Sequence, residues 1–203
     1  MIKNIVFDLG NVILKGFPAD VLNIIDLNDD ERKIVKEKFF SNWNKLDMGN
    51  ESLQEHYLRS KIPISLRQES TQKIIDYYKY REFNTDLIKL IQELKREKYN
   101  VYILSNNNSE ASEYLRKLQL FESIDGWVVS CDYHIIKPDK KIYEILFEKY
   151  NLNPNECYFI DDKKINIEVG KSLGMNGYVI NYEKDGINGL IQEFYKNNII
   201  IED

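Results

Sequence analysis

Short apolar segments that end in polar residues recur along this chain of 203 residues and constrain its fold more than any other feature. The first is Ile5-Val6-Phe7, which Asp8 follows at once, and residues 101–104 and 157–160 repeat the pattern. Segments with a helical spacing of apolar residues, such as 140–150, lie between them. Strands that alternate with helices form right-handed βαβ units. We therefore predict an α/β fold with a Rossmann-like, mostly parallel sheet of five or more strands, flanked by helices.

Residues 17–80 interrupt this alternation, because they contain several helix starts but no convincing strand. Asn28 with Glu31, and Ser65 with Gln68, have the spacing of a capping box. In that motif, two side chains three residues apart accept hydrogen bonds from each other's backbone N–H groups at a helix start. We therefore predict that this segment is a bundle of helices, two of which begin after Asn28 and Ser65.

The place of this helical segment in the chain predicts the domain organisation. It begins just after the carboxyl end of the first strand, which is where parallel sheets bind ligands. Helical spacing resumes at Thr85, which we expect to cap the next helix. We predict a Rossmann-like core of residues 1–16 and 81–203, with residues 17–80 inserted as a helical cap.

Composition limits the partners that the chain can have. A net charge of −5 with dispersed lysines argues against nucleic-acid binding. No apolar run approaches the roughly 18 residues of a membrane span, and the N-terminus becomes acidic too early for a signal peptide. Cys157 begins an apparent buried strand, so we expect Cys157 and Cys131 to be reduced thiols. We predict a cytoplasmic protein with no nucleic-acid or membrane partner.

Polar residues that follow the predicted strands, or lie in nearby loops, are candidates for a shared site. Because parallel strands end at one edge of the sheet, these side chains are expected to converge there. They are Asp8, Ser105, Asn106, Lys137, Asp161 and Asp162. Adjacent carboxylates at a buried strand end repel each other unless a positive group lies beside them. Mg²⁺, a hard cation that takes oxygen ligands, would satisfy Asp161 and Asp162.

Four sequence motifs resemble those of the haloacid dehalogenase superfamily in order, spacing and strand context. They are Phe7-Asp8-Leu9-Gly10-Asn11-Val12, Leu104-Ser105-Asn106, Lys137-Pro138, and Phe159-Ile160-Asp161-Asp162 with Asn166 four residues later. The resemblance covers nearly the whole chain. It is strongest to the branch with a helical cap after the first strand, and within it to the small sugar-phosphate phosphatases that resemble glucose-1-phosphate phosphatase.

This resemblance implies a role for each matching residue. Asp8 would be the nucleophile that forms an aspartyl-phosphate. Lys137 would contact the transferring phosphoryl group and keep Asp8 ionised. Ser105 and Asn106, with nearby backbone N–H groups, would bind phosphate oxygens.

The resemblance also implies a magnesium site. Asp8, the backbone carbonyl of Gly10 and Asp162 would be the protein ligands of Mg²⁺. Asp161 would lie outside this first shell and orient water or ligand, and Asn166 would link the loops.

The chain departs from the phosphatase pattern at Gly10. Phosphatases of this superfamily usually have an aspartate two residues after the nucleophile, which protonates the leaving oxygen and later activates water. Its absence leaves three explanations open: a substrate with a better leaving group, another group or water that moves the proton, or a protein that binds phospho-ligands without catalysis.

Haloacid dehalogenases also lack this aspartate, so a metal-independent 2-haloacid dehalogenase is a further alternative. The acid pair argues against it, because a site without metal would leave Asp8, Asp161 and Asp162 repelling one another. We therefore favour a Mg²⁺-dependent phosphatase, monomeric or homodimeric, that acts on a small phosphorylated metabolite such as a sugar phosphate.

Overall fold

A sheet of five parallel strands forms the centre of the protein, in the spatial order β3-β2-β1-β4-β5. A computed structural model describes residues 1–63, 65–182, 184 and 186–201. The strands are β1 (Asn4–Phe7), β2 (Asn100–Ser105), β3 (Gly126–Val129), β4 (Cys157–Asp161) and β5 (Asn176–Val179). The predicted fold class is confirmed, since the sheet is parallel throughout and helices flank it.

Strand β1 lies in the middle of the sheet and is buried along its whole length. Its last residue, Phe7, is aligned with Ile103 of β2 on one side and with Ile160 of β4 on the other. The residues that follow these three positions therefore emerge side by side. This register places Asp8 between the ends of β2 and β4.

Helices cover both faces of the sheet. They are α1 (Asp29–Lys38), α2 (Asn44–Asp47), α3 (Leu53–Ser60), α4 (Gln68–Ile75), α5 (Thr85–Arg96), α6 (Ser109–Arg116), α7 (Ser130–Tyr133), α8 (Lys140–Tyr150), α9 (Lys164–Ser172) and α10 (Gly186–Lys196). Side chains alternate across a strand, so Ile5 and Phe7 pack in one apolar cluster with residues of α5 and α10. Val6 packs in a second cluster with residues of α8 and α9.

Residues 17–80, which we call the inserted segment, contain α1 to α4 and two short 3₁₀ helices, Pro18–Ile24 and Tyr77–Tyr80. The segment has an apolar cluster of its own, whose buried members all lie between residues 21 and 77. Phe39 is central to it and packs edge-on against Trp43 and His56. The division into a core and an inserted cap stays a prediction about domain organisation.

The capping box at Asn28 is confirmed, because Asn28 and Glu31 bond each other's backbone N–H groups at the start of α1. The one at Ser65 is wrong: α4 begins at Gln68 after Arg67, whose backbone is extended and whose side chain makes no capping bond. Leu66 packs against the apolar cluster of the inserted segment. The helix therefore starts past the position of Ser65, next to the partly buried Leu66.

The helix start at Thr85 is displaced by one residue. Asn84, not Thr85, is the cap, and its side chain accepts a hydrogen bond of 3.2 Å from the N–H of Leu87. The N–H of Asn84 also donates to the carbonyl of Ile13 at 2.8 Å. This link to the chain after β1 fixes Asn84 in the non-helical conformation that a cap needs.

Both cysteines, Cys131 and Cys157, are free and buried. Burial raises the pKa of each thiol, that of Cys157 to about 11. In the described part of the chain, no helix combines the length and apolar character needed to cross a membrane.

We expect Gly177→Ala to destabilise the protein and Gly10→Ala to leave its stability nearly unchanged. A Cβ at Gly177 would lie 2.7 Å from the carbonyl oxygen of Phe159 in the neighbouring strand, whereas a Cβ at Gly10 would meet no atom within 4 Å. Overpacking of this kind costs about 1–3 kcal/mol of unfolding free energy. Urea unfolding of the two variants measures the difference, and equal midpoints would contradict the close packing of β4 on β5.

Candidate active site

Asp8 lies at the centre of the carboxyl edge of the sheet. Its N–H donates to the carbonyl of Ile160 at 2.9 Å, which extends the pairing of β1 with β4 by one residue. Asp161, the last residue of β4, therefore lies beside it, and both side chains are buried. The convergence that the sequence predicts at this edge is present in the fold.

Lys137 lies between these two carboxylates. Its Nζ atom is 3.0 Å from Asp8 Oδ1 and 2.6 Å from Asp161 Oδ2. It also donates to the carbonyl of Leu104, in β2, at 2.8 Å. An ammonium group has three hydrogens, so these contacts use its whole capacity. Since the side chain is 1% exposed, the ammonium belongs to the interior of the site.

Asn106 positions Lys137 through its side-chain amide. Its Nδ2 donates to the carbonyl of Lys137 at 3.0 Å, and its Oδ1 accepts from the N–H of Lys137 at 2.7 Å. The amide of Asn106, which the sequence predicts to bind phosphate, is thus bonded to the loop that carries the lysine. Ser105, the last residue of β2, is buried, and its hydroxyl donates a long hydrogen bond of 3.5 Å to the carbonyl of Asn106.

Asn166 holds the Asp161 carboxylate from the other side. Its Nδ2 lies 3.0 Å from Asp161 Oδ1 and 2.9 Å from Asp161 Oδ2. The N–H of Lys163 donates to Asp161 Oδ1 at 2.8 Å. The backbone carbonyl of Asn166 in turn accepts from the Tyr143 hydroxyl at 2.9 Å. The carboxylate of Asp161 is therefore held on both oxygens.

Asp162 lies next to this group but has fewer contacts with protein. Its Oδ2 accepts a hydrogen bond of 3.2 Å from Asn11, a residue with a positive φ of 54° in the turn after Gly10. Asn11 is a site residue that the sequence reasoning missed. The Gly10-Asn11 pair was its signal, since Gly and Asn adopt such turn conformations readily.

The three acids Asp8, Asp161 and Asp162 form a cluster with a strong electrostatic imbalance. One carboxylate oxygen from each lies within 4.8 Å of the others. Burial raises the pKa of Asp8, the charge of Lys137 opposes this effect, and the charge of Asp161 adds to it. Burial also raises the pKa of Asp162, against the hydrogen bond from Asn11. Three carboxylates against one buried ammonium leave two negative charges.

This imbalance suits a divalent cation with oxygen ligands. Apart from the Lys137 ammonium at 3.0 Å, the buried Oδ1 atom of Asp8 has no polar partner among the residues that the structure describes, so a lone pair stays available to a cation. Asp162 has one oxygen outside its bond with Asn11. Gly10 lines the same cavity as these two acids. The donor set is therefore oxygen only, which hard cations such as Mg²⁺ prefer.

Asp8 and Asp162 line a cavity of about 290 Å³ between the sheet edge and the inserted segment. Side chains that the motifs did not indicate form part of its wall: Phe17, Trp43, Asp47, Tyr77 and Arg81. A larger cavity of about 560 Å³ adjoins it and shares Asn11, Gly16, Phe17 and Asp162 with it. The polar edge of the sheet thus faces a cleft lined by residues of the sheet edge and of the inserted segment.

Comparison with known proteins identifies the family. The family model described as "haloacid dehalogenase-like hydrolase" matches residues 2–174. This match covers most of the chain and includes the ends of β1 to β4 with the three acids. The chain therefore belongs to the haloacid dehalogenase-like hydrolases, a family of enzymes, as its motifs indicate.

Two curated relatives show the range of activities within this similarity. D-ribitol-5-phosphate phosphatase of Bacteroides thetaiotaomicron is 28% identical over 190 residues, which are 88% of this chain and 91% of the relative. (S)-2-haloacid dehalogenase 4A of Burkholderia cepacia is 28% identical over 116 residues, which are 57% of this chain and 50% of that enzyme. The phosphatase is thus similar along nearly its full length, and the dehalogenase over about half.

Solved structures share the fold. The enzyme bt-2542 of Bacteroides thetaiotaomicron, in a complex with magnesium and inorganic phosphate, has a TM-score of 0.70 at 23% identity, covering 91% of this chain and 97% of its own. A crystal structure described as a dehalogenase has a TM-score of 0.74 at 19% identity, with coverage of 100% and 98%. At these identities the likeness is one of fold.

We expect Lys137→Met to destabilise the fold strongly at neutral pH and much less in acid. Removing one member of a buried ion pair costs about 3–5 kcal/mol, because the carboxylates stay buried without their partner. Ionisation of Asp8, whose pKa is raised already in the native protein, then opposes folding. A group with a raised pKa in the folded state stabilises it only at low pH, so the deficit grows from about pH 4 to pH 8.

Urea unfolding over that pH range measures this deficit, with Lys3→Met as the control. The Lys3 side chain is 60% exposed and pairs with Glu156 at 2.6 Å, an exposed arrangement worth at most about 1 kcal/mol. A Lys137→Met deficit that is small, or independent of pH, would contradict the charge balance described above.

Proposed function

We propose that this chain is a Mg²⁺-dependent phosphatase that hydrolyses a small phosphorylated metabolite, such as a sugar phosphate, through an aspartyl-phosphate on Asp8. The observation that carries the proposal is the cluster of Asp8, Asp161 and Asp162 around the buried ammonium of Lys137. This cluster brings together a nucleophile, the ammonium group that neutralises it, and negative charge that no described residue compensates.

Asp8 has the position that a nucleophile needs. Its carboxylate lies in the wall of the cavity and attacks phosphorus, which splits the hydrolysis into two easier steps. Lys137, at 3.0 Å, keeps Asp8 ionised and offers positive charge to the phosphoryl oxygens. Burial opposes the charge on Lys137, but Asp8 and Asp161 outweigh this effect and raise the pKa of the ammonium. Ser105 and backbone N–H groups after β2 bind the remaining phosphate oxygens.

Asp8, the backbone carbonyl of Gly10 and Asp162 would hold Mg²⁺. When bound, the ion supplies positive charge that neutralises the phosphoryl oxygens and the two excess carboxylate charges. Asp161 is bonded to Lys137 and Asn166 on both oxygens and would orient the site from outside the first shell. The magnesium and phosphate complex of a protein with this fold supports the assignment.

The relatives and the cavity support the proposed substrate class. The full-length similarity to a phosphatase of D-ribitol 5-phosphate favours a small polyol or sugar phosphate. A volume of about 290 Å³ is at the lower end of the range for small-molecule sites, in keeping with a metabolite of this size. We keep the cytoplasmic location, the monomeric or homodimeric state and the lack of nucleic-acid or membrane partners as predictions.

A 2-haloacid dehalogenase is the second candidate, because a dehalogenase is among the relatives and Gly10 replaces the usual acid. The charge balance weighs against it. Dehalogenation needs no metal, and without one two negative charges of the cluster stay uncompensated in a buried site. A third possibility, a protein that binds phospho-ligands without catalysis, also rests on Gly10.

We expect hydrolysis of sugar phosphates or p-nitrophenyl phosphate with Mg²⁺, and its loss with EDTA or in Asp8→Asn. Without the attacking oxygen no aspartyl-phosphate forms, so activity should fall by about 10⁴-fold or more, as for other covalent nucleophiles. Asp30→Asn, which changes an exposed acid in α1, is the control and should keep wild-type activity. Released phosphate is the measured quantity.

Each alternative predicts a different outcome of the same panel. Activity that survives Asp8→Asn or EDTA would reject the proposal. Release of halide from 2-chloropropionate without metal would establish the dehalogenase. Binding of a phosphate analogue with Mg²⁺, without turnover of any ester, would establish the binding protein.

We also expect Mg²⁺ to raise the melting temperature of the wild type and to have little effect on Asp162→Asn. At 100 times its dissociation constant, a ligand that binds only the folded state adds about 2.7 kcal/mol to the free energy of unfolding. Thermal melts with and without MgCl₂ measure this shift, with Asp30→Asn as the control that keeps it. An equal shift in Asp162→Asn would exclude Asp162 as a ligand.

A further inference from the structure

The position of Gly10 leaves the proposed phosphatase without a group to protonate its leaving oxygen. A Cβ at Gly10 would meet no atom within 4 Å, so the backbone there has free space beside it. A positioned acid–base contributes about 10²–10⁴-fold to such a reaction. If the chain is the phosphatase proposed above, another side chain of the cavity must supply this acid.

Asp47 is the acid that the inserted segment contributes to the cavity. It is the last residue of α2 and lines the cavity together with Asp8 and Lys137. Among the described residues of the cavity wall, Asp8, Asp47 and Asp162 are the only acids. No hydrogen bond or ion pair within the described ranges holds the Asp47 carboxyl group. It is therefore available to a ligand.

The backbone next to Asp47 is fixed against the core by two contacts. The carbonyl of Met48 accepts a hydrogen bond of 2.6 Å from Nδ1 of His134. Gly49, with a φ of +66°, lies so close to α7 that a Cβ there would be 2.6 Å from the carbonyl oxygen of Cys131. These contacts anchor the chain directly after Asp47, so its position relative to Asp8 is set by the fold.

The electrostatic surroundings suit a carboxyl group that both donates and accepts a proton. Burial raises the pKa of Asp47 to about 6, Asp8 adds to the rise, and Lys163 and Lys137 oppose it. The titratable Tyr77 and the charged Arg81 face the same cavity. An acid–base works best when its pKa lies near the operating pH.

The other titratable groups around the cavity are less suited to this role. Burial raises the pKa of Tyr77 far above neutrality, and its hydroxyl accepts a hydrogen bond of 2.7 Å from Asn108. Arg81 donates to the carbonyls of Lys15 and Gly16, and a guanidinium does not lose its proton in proteins. His134 is bonded to Met48 and does not line the cavity.

We propose that Asp47 is the general acid–base of this enzyme and takes the place of the side chain that Gly10 lacks. In the first step, an oxygen of Asp8 bonds to phosphorus, the bond from phosphorus to the ester oxygen breaks, and the proton of Asp47 passes to that oxygen. The alcohol leaves, and Asp47 is then a carboxylate.

The second step restores both residues. Asp47 takes a proton from a water molecule as the water oxygen bonds to phosphorus, and the bond between phosphorus and Asp8 breaks. Inorganic phosphate is released, Asp8 is again a carboxylate, and Asp47 is again protonated. The inserted segment thus supplies a catalytic residue as well as a wall of the cavity.

A leaving-group comparison tests this assignment. Phenyl phosphate and p-nitrophenyl phosphate are similar in size, but phenol is a poor leaving group, with a pKa of about 10 like that of tyrosine. Nitrophenolate leaves without a proton. We expect Asp47→Asn to lower kcat/KM about 10²- to 10³-fold for phenyl phosphate and less than about tenfold for p-nitrophenyl phosphate.

The pH profile and a control variant separate this role from a structural one. For phenyl phosphate, the kcat/KM of the wild type is divided by that of Asp47→Asn, so that the titration of the substrate cancels. This ratio should fall as the pH rises through about 6, because the wild type loses its protonated acid there. Asp26→Asn changes another acid of the inserted segment, whose side chain is 89% exposed, and should keep wild-type rates on both esters.

Restoring the acid elsewhere gives a second test that does not depend on how well Asp47→Asn folds. Because a side chain fits at Gly10, the double variant Gly10→Asp with Asp47→Asn should recover at least about tenfold of the lost activity on phenyl phosphate. Circular dichroism and the thermal shift with Mg²⁺ confirm that each variant is folded.

The outcomes distinguish this inference from the proposed function. Equal losses on the two esters, an unchanged rate on phenyl phosphate, or a rise in KM alone would overturn the role of Asp47 and leave the phosphatase intact. Activity of the wild type that survives Asp8→Asn would overturn both. A loss confined to phenyl phosphate, with recovery in the double variant, supports Asp47 as the proton donor.

Discussion

The buried ammonium of Lys137 is the interaction on which the arrangement of this site depends. Its three contacts join the ends of three neighbouring strands, through Leu104 of β2, Asp8 after β1 and Asp161 of β4. Without it, two buried carboxylates would face each other in a medium of low dielectric constant. Buried pairs of this kind often add little to stability compared with apolar packing. We therefore interpret the network as a means of placing charge where phosphorus is attacked.

Much of this arrangement could be predicted from the sequence, because it depends on where each strand ends, and the local pattern of apolar and polar residues indicates those ends. Parallel strands end at a common edge, so acids that follow them meet there, as Asp8 and Asp161 do. Helix starts depend on more than the local pattern. The backbone of Arg67, next to the partly buried Leu66, is extended past Ser65. Asn84, bonded to Ile13, is the cap instead of Thr85. Such contacts join distant parts of the chain, and local patterns do not contain them.

The contribution of the inserted segment could not be predicted for the same reason. Asp47 has no fixed spacing from Asp8, and its place in the cavity depends on the packing of Gly49 on α7 and on the bond between Met48 and His134. Asn106 illustrates the point within a motif. Its motif predicts contact with phosphate, yet its amide holds the loop that carries Lys137.

Trapping the covalent intermediate tests the central claim most directly. Wild-type protein is mixed with a radiolabelled phosphate monoester and Mg²⁺, quenched in acid within a turnover, and mapped by peptides. We expect phosphate on the peptide that carries Asp8, dependent on Mg²⁺ and absent from Asp8→Asn. Turnover of the ester with no label on that peptide, or with label on a different residue, would contradict attack by Asp8.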